Sequence, residues 1–243
     1  MTAALAVQGL RADYGRTIVI HDLELIVEPG QTAVVIGPNG HGKTTLLRAI
    51  SGLVKPSAGR VTLDGREVSG LNAEAIARRG VVHILQGDGL FPEMTVEENL
   101  EMGAFLRMSW RARRDALARV YNQLPVVHEK RAQKARTLSG GERRLVGIGR
   151  GMMRPARVLL VDEPSLGLAP VAIAAVYDAI RALRADSDGA IILVEENFSH
   201  IEQVADVVHV LEAGAIVRSG SYQELSEDRT VRETYLGLLE ESV

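Results

Sequence analysis

Gly37-Pro38-Asn39-Gly40-His41-Gly42-Lys43-Thr44 is a complete glycine-rich phosphate-binding loop. It follows the apolar run Thr32-Ala33-Val34-Val35-Ile36 and precedes Thr45-Leu46-Leu47-Arg48-Ala49-Ile50, the strand–loop–helix setting this chemistry needs. Backbone N–H groups in such a loop point at phosphate oxygens, and the helix that follows adds the positive end of its dipole. The spacing lets Lys43 reach the β- and γ-phosphates and lets the Thr44 hydroxyl ligate Mg²⁺. Residues 37–45 are therefore predicted to hold a nucleoside triphosphate.

A second segment supports that reading. Arg157-Val158-Leu159-Leu160-Val161-Asp162-Glu163 is an apolar strand ending in two acids. The apolar run suits a strand buried on both faces. Asp162 at its C-terminal end is expected beside the Mg²⁺ held by Thr44, where open α/β sheets bind their ligands. Glu163 is expected to polarise the water that attacks the γ-phosphate. A core strand with a solvated acidic end is the plainer explanation of this segment alone; the loop at 37–44 weighs against it.

The chain has 243 residues, 46% hydrophobic and 24% charged, enough for a substantial soluble core. A net charge of −3 creates no field that would favour nucleic acid as a partner. Cysteine is absent, which excludes disulfides and thiolate metal sites. No signal-peptide pattern opens the sequence, and no apolar run approaches the ~20 residues of a membrane-spanning helix. The expectation is a cytoplasmic protein whose membrane role, if any, comes through partners.

Strand character occupies 18–27 and 32–36, around the turn Glu28-Pro29-Gly30, and 61–63 before a hairpin turn at Asp64-Gly65. Further strands are predicted at 81–85, 157–162, 190–195, 207–211 and 215–218. Residues 95–153 read as helical, and 171–184 as a helix between two strands. The pattern is a parallel-sheet α/β nucleotide core, with antiparallel strands near the N-terminus and a helical insertion. One domain is expected, with residues 1–87 and 156–243 forming the core and 88–155 the helical part.

Leu138-Ser139-Gly140-Gly141-Glu142 opens a helix running to about residue 153. Ser139 is a good N-cap, and the glycines let a backbone approach an anion. Lying just upstream of the Asp162 strand and far downstream of the phosphate loop, this motif makes the chain resemble the ATP-binding cassette (ABC) family over nearly its whole length. The resemblance implies a P-loop NTPase (RecA-like) core with an N-terminal antiparallel β subdomain and an inserted α-helical subdomain. It implies ATP and Mg²⁺ as ligands. Tyr14 matches the aromatic that stacks on adenine, and a partly exposed core tyrosine is its plainer alternative. Gln86 matches the glutamine that touches Mg²⁺ and the attacking water, and Ser165-Leu166-Gly167-Leu168 the loop that communicates across a dimer. Catalysis would rest on Glu163, Gln86 and Lys43. Mg²⁺ would be held at Thr44, Gln86 and Asp162. In a head-to-tail pair, Ser139, Gly140, Gly141 and Glu142 of one subunit would meet the nucleotide held by residues 37–45 of the other. Each subunit has two anion-binding helix ends but one nucleotide loop, so two subunits can clamp a triphosphate between them.

Several positions depart from the general family pattern. Glu196 stands where a histidine is usual, and a carboxylate near a phosphate is unfavourable unless a cation or proton intervenes. It is expected to point away or to slow turnover, with His200 as a candidate substitute. Ala169 replaces a usual aspartate. His41 occupies a loop position where small residues are commoner, and it reads as a solvent-facing bystander. The stretch from Asp162 to Pro170, the stretch from Phe91 to Leu100 and the ending Glu233-Thr234-Tyr235-Leu236-Gly237 are similar to the ATPases of branched-chain amino acid importers. That similarity implies permease subunits and a second cassette, or a second copy of this chain, as partners, an extracytoplasmic solute-binding protein indirectly, no nucleic acid, and a peripheral place on the inner face of the cell membrane. Two other readings stay open: a soluble regulatory or nucleic-acid-associated ATPase, and a weakly active ATP-binding partner of a second cassette. Arg107, Arg111, Arg113, Arg114 and Arg119, with Trp110, suit a solvated basic helix face better than a permease- or membrane-facing one. Residues 90–106 suit either internal core or the border of a permease groove.

Overall fold

The computed structural model describes residues 2–87, 89–104, 109–185 and 188–236. Among the described residues, ten strands form two sheets. In chain order they are β1 (Leu5–Tyr14), β2 (Thr17–Val27), β3 (Thr32–Ile36), β4 (Ala58–Leu63), β5 (Arg66–Glu67), β6 (Val81–Ile84), β7 (Val158–Asp162), β8 (Ala190–Glu195), β9 (Val207–Glu212) and β10 (Ala215–Gly220). The helices used below are α1 (Lys43–Ile50), α2 (Ala73–Arg78), α3 (Val96–Glu101), α4 (Trp110–Gln123), α5 (Pro125–Glu129), α6 (Gly140–Met152), α7 (Pro170–Ala185) and α8 (Tyr222–Glu227).

The larger sheet has the order β10-β9-β3-β8-β7-β6. Its strands run parallel except for β10, which returns antiparallel along β9 at the edge. The sequence makes β8 after β7, yet β8 lies between β3 and β7. Side chains of these strands alternate between two cores. Val34, Leu159, Val161, Ile191 and Leu193 face a core shared with α3, α4, α6 and α7. Ala33, Val35, Leu160, Ile192 and Val194 face a core shared with α1 and the smaller sheet. A sheet covered on both faces explains why these strands read as unbroken apolar runs.

The smaller sheet is antiparallel, ordered β2-β1-β4-β5. Its β4–β5 turn is the Asp64-Gly65 pair, with φ of 48° and 74°, as a two-residue hairpin requires. The expected P-loop NTPase architecture is present: parallel core, antiparallel sheet and helices inserted between β6 and β7. Strand β1 was not among the sequence expectations. Its alternation slips between Val7 and Leu10, where Gly9 takes φ 58° and the register shifts. Helices α2 and α8 are likewise additional.

In the inserted helices, Thr95 with Glu98 and Ser139 with Glu142 form reciprocal capping boxes for α3 and α6. Fully buried Asn99 binds the carbonyls of Phe91, Met94 and Thr95 and accepts the Phe91 N–H, which fixes the approach to α3. Val96, Leu100 and Ala104 are core residues, whereas Phe91 and Met102 are exposed. The stretch 90–106 thus supplies core residues and leaves two large side chains exposed; residues 105 and 106, like Arg107 of the arginine cluster and Gly237 of the C-terminal motif, lie outside the described residues. Trp110 is exposed, and the Arg114 guanidinium stands 4.8 Å from its ring centroid.

Two histidines lie within the sheet. His83 Nδ1 is 3.0 Å from Ser51 Oγ, and His209 Nδ1 is 2.7 Å from Ser219 Oγ. Their Nε2 atoms are buried without a partner. Burial, and for His83 also nearby Arg48, lowers each to about 4 from an ordinary 6.5. The unfolded chain therefore takes up these protons first. Their stabilising contribution is complete above pH 6.5 and is lost as pH falls towards 4. At pH 5 the loss amounts to about 2 kcal/mol per histidine. Buried Asp162 and Glu195 are shifted upward and act in the opposite sense, so the comparison must be made by substitution. His209→Gln is expected to lose about 2 kcal/mol less than the wild type between pH 7 and pH 5 in urea denaturation. Equal losses in the two proteins would remove His209 from the acid response.

Candidate nucleotide site

Strand β3 is wholly buried and delivers the loop at its C-terminal end. Gly37 is obligatory there, because a Cβ would stand 2.3 Å from the Leu211 carbonyl oxygen of β9. The loop ends on Gly42, with φ 107°, and no side chain caps α1. The first-turn amides of α1 thus face a cleft of about 260 Å³ lined by Val19, Asn39, Gly40, Gly42, Lys43, Thr44, Thr45, Gln86 and Glu163. Such an uncapped N-terminus favours an anion.

Two chains of contacts join the loop to the end of β7. Lys43 Nζ lies 3.1 Å from Glu163 Oε1 and donates to the carbonyls of Gly37 and Pro38 at 2.7 and 3.2 Å. The other Glu163 oxygen accepts a 2.8 Å hydrogen bond from Gln86 Nε2. The Thr44 hydroxyl donates to Asp162 Oδ1 at 3.0 Å. Lys43, Asp162 and Glu163 are buried. Glu163 adopts φ 44°, an uncommon left-handed conformation for a residue with a side chain, and its N–H bonds the Val194 carbonyl. Asp162 Oδ2 is buried with no hydrogen-bond partner. Burial foremost, with the neighbouring Glu163 charge, pushes the Asp162 carboxyl above its usual range, against the Thr44 hydroxyl and the Arg48 and Lys43 charges. An orphaned carboxylate oxygen beside a threonine hydroxyl is an oxygen-only donor set that fits Mg²⁺, a cation usually shared between one or two carboxylates and substrate phosphates.

Other expected site residues lie farther from this cluster. Tyr14 is half-exposed in the β1–β2 hairpin and outside the residues lining the cleft; Val19, which the sequence reading passed over, lines it. Ser139 is exposed at the start of α6. Its hydroxyl accepts the Glu142 N–H, while the Glu142 carboxylate accepts the Ser139 N–H and pairs with Lys130 at 3.3 Å. These contacts, the Ser139 N–H first, hold the Glu142 carboxyl below its usual range. A Cβ on Gly141 would stand 2.6 Å from that of Ala172, so α6 and α7 begin in close contact. None of residues 139–142 lines the 260 Å³ cleft.

Two expectations need correction. His41 is no solvent-facing bystander: its Nδ1 accepts the Ala213 N–H at 3.2 Å, and its carbonyl accepts the Gly214 N–H, which ties the loop to the β9–β10 turn. Glu196 does not point away, the first of the two outcomes expected for it: it turns towards the loop and accepts the Asn39 side-chain amide at 2.8 Å, a neutral donor that satisfies the carboxylate. Glu196 and His200, which sits in a short 3₁₀ turn, line a neighbouring cleft of about 440 Å³ with Glu163 and Ser165.

Residues 20–166 match the family model described as ABC transporter. The chain is 36% identical over 226 residues to the high-affinity branched-chain amino acid transport ATP-binding protein BraG of Pseudomonas aeruginosa, covering 92% of this chain and 95% of that one. It is 32% identical to the lipopolysaccharide export system ATP-binding protein LptB of Acidithiobacillus ferridurans, covering 98% of each. Among solved structures, an ATP-binding cassette of an ABC transporter in its ADP conformation shares the fold, with a TM-score of 0.86 at 24% identity over 98% of this chain and 100% of that one. The chain belongs to the ABC transporter family, as one of its ATPases.

Proposed function

We propose that this chain powers an importer for branched-chain or other amino acids by hydrolysing ATP at the cluster of Lys43, Thr44, Gln86, Asp162 and Glu163. The observation that carries the reading is the buried Lys43–Glu163–Gln86 chain, which holds a carboxylate by both oxygens at the mouth of a phosphate loop. Residues 37–45 bind the triphosphate through backbone amides and Lys43. Glu163, oriented by Gln86, takes the proton of the attacking water. Mg²⁺, when bound at Thr44, Asp162 and Gln86, supplies neutralisation of the triphosphate charge. Tyr14 serves the adenine end. Residues 1–87 and 156–243 act as the nucleotide core and 88–155 as the helical part.

The exposed Ser139, with Gly140, Gly141 and Glu142, suits contact with nucleotide held by a second cassette, so the working unit is a head-to-tail pair. Among the described residues no helix is long and apolar enough to cross a membrane. In this reading, which the transport names of the relatives support, permease subunits hold the chain at the cytoplasmic face of the membrane, and a solute-binding protein acts outside it. The solute class follows the identity with BraG. Export is the second reading, favoured by the full-length identity with LptB.

Affinity purification of the tagged chain from detergent-solubilised native membranes tests the proposal. Two permease subunits and a second cassette are the expected companions. Recovery from the soluble fraction alone, with nucleic-acid-associated proteins, would overturn the transport reading. Recovery with outer-envelope assembly proteins would replace import by export.

A further inference from the structure

Glu195, the last residue of β8, is 2% exposed. Its Oε1 accepts the Ser165 N–H at 3.0 Å and the Tyr177 hydroxyl at 3.0 Å. Ser165 belongs to the turn leaving Glu163, and Tyr177 to α7. One carboxyl thus ties together a central strand, the Glu163 turn and the helix that meets the start of α6. Among the described residues Glu195 has no ion-pair partner. The groups acting on it are the Ser165 hydroxyl and N–H, the Tyr177 hydroxyl and the Glu196 N–H, all neutral donors. Burial pushes this carboxyl upward, and burial with the adjacent Glu195 does the same to the Tyr177 phenol. A buried carboxyl without a cation is an unfavourable way to fill space, so packing alone does not account for it.

The turn it holds is the one that needs holding. Glu163 has φ 44°, and such conformations persist only where the surroundings over-determine them. The Glu163 N–H is bonded to Val194 on the same strand as Glu195, and the Leu166 N–H closes the turn onto the Glu163 carbonyl. Two adjacent residues of β8 therefore grip both ends of the Glu163-Pro164-Ser165 segment.

We propose that Glu195 is a positioning residue for ATP hydrolysis, which aims the Glu163 carboxylate by anchoring Ser165 and keeps that aim tied to α7 through Tyr177. The inference rests on the role proposed above for Glu163. Its effect falls on the chemical step, since the Lys43 loop that binds the triphosphate is formed by other segments.

The test is steady-state ATP hydrolysis by the full chain with its transporter partners. Glu195→Ala is expected to lower kcat about 10- to 100-fold, the scale of a small misplacement of a reacting group, with the KM for ATP within about twofold. Glu195→Gln keeps an acceptor for Ser165 and Tyr177 and is expected to restore kcat to within about threefold of the wild type. Tyr177→Phe, which removes one donor and no volume of note, is expected to lower kcat less than Glu195→Ala at unchanged KM. It keeps the idea testable should the alanine variant not fold. Wild-type kcat in both Glu195→Ala and Tyr177→Phe overturns the proposal. So does a rise of KM in step with the fall of kcat, which is what general loosening of the site produces, and so does a glutamine variant as impaired as alanine. Glu163→Gln run alongside separates the two levels: wild-type turnover there overturns the role of Glu163 itself, whereas loss there with normal Glu195 variants overturns only this inference.

Discussion

Glu163→Gln is expected to lower ATP turnover by about 10²–10⁴-fold, the contribution of a positioned general base, while ATP still binds. The amide has the shape of the carboxylate and can keep the contact with Gln86, but it cannot take a proton from water. It also cannot neutralise Lys43, whose buried ammonium now lies 3.1 Å from the Glu163 carboxylate. Without nucleotide the variant carries an unpaired buried charge, tempered by the Gly37 and Pro38 carbonyls. Triphosphate binding then relieves that charge. The variant is therefore expected to melt below the wild type when empty and to show the larger ATP-induced rise in Tm. Turnover within about threefold of the wild type would show that another group accepts the proton.

Lys43→Ala is expected to act on stability and binding together. Removing one member of a buried pair costs about 3–5 kcal/mol, because the other charge stays behind in a dry site. Loss of a charge-assisted contact to the triphosphate lowers ATP affinity about 10- to 100-fold, following the 1.5–3 kcal/mol such bonds contribute. The double variant Lys43→Ala/Glu163→Gln separates these effects. Its loss of stability in urea is expected to fall short of the sum of the two single-variant losses by about 1–3 kcal/mol of coupling, while it binds ATP as poorly as Lys43→Ala. Simple addition of the two single-variant losses would show that the pair is not energetically coupled.

The large parallel sheet was legible because its strands are buried on both faces. Ala190-Ile191-Ile192-Leu193-Val194 and Val158-Leu159-Leu160-Val161 leave little room for another reading, and the acids at the end of β7 mark where the sheet meets its ligand. The α6 boundary was legible from Ser139 as an N-cap; its reciprocal bond with Glu142 emerged in the structure. Strand β1 was not, because the bulge at Gly9 breaks the two-residue alternation on which such readings depend. Lys43, Thr44, Asp162 and Glu163 were legible from motif and strand context and Gln86 only from the resemblance, whereas the Lys43–Glu163 pair appears first in the structure. The anchoring of Ser165 was not legible, because Glu195 continues the strand pattern and its neighbours come from distant segments. The same applies to His41, whose partners Ala213 and Gly214 are brought in by the β9–β10 turn.

The order β3-β8-β7 bears on how the protein is made. The loop at 37–44 leaves the ribosome early and Asp162 and Glu163 much later, but β8, which lies between their strands, follows later still. Until residues 190–195 have emerged and slid into that gap, the sheet that brings Thr44 against Asp162 is incomplete. The nucleotide loop is thus made first and completed last: its meeting with Asp162 and Glu163 waits on the strand that separates them in space and follows both in the chain.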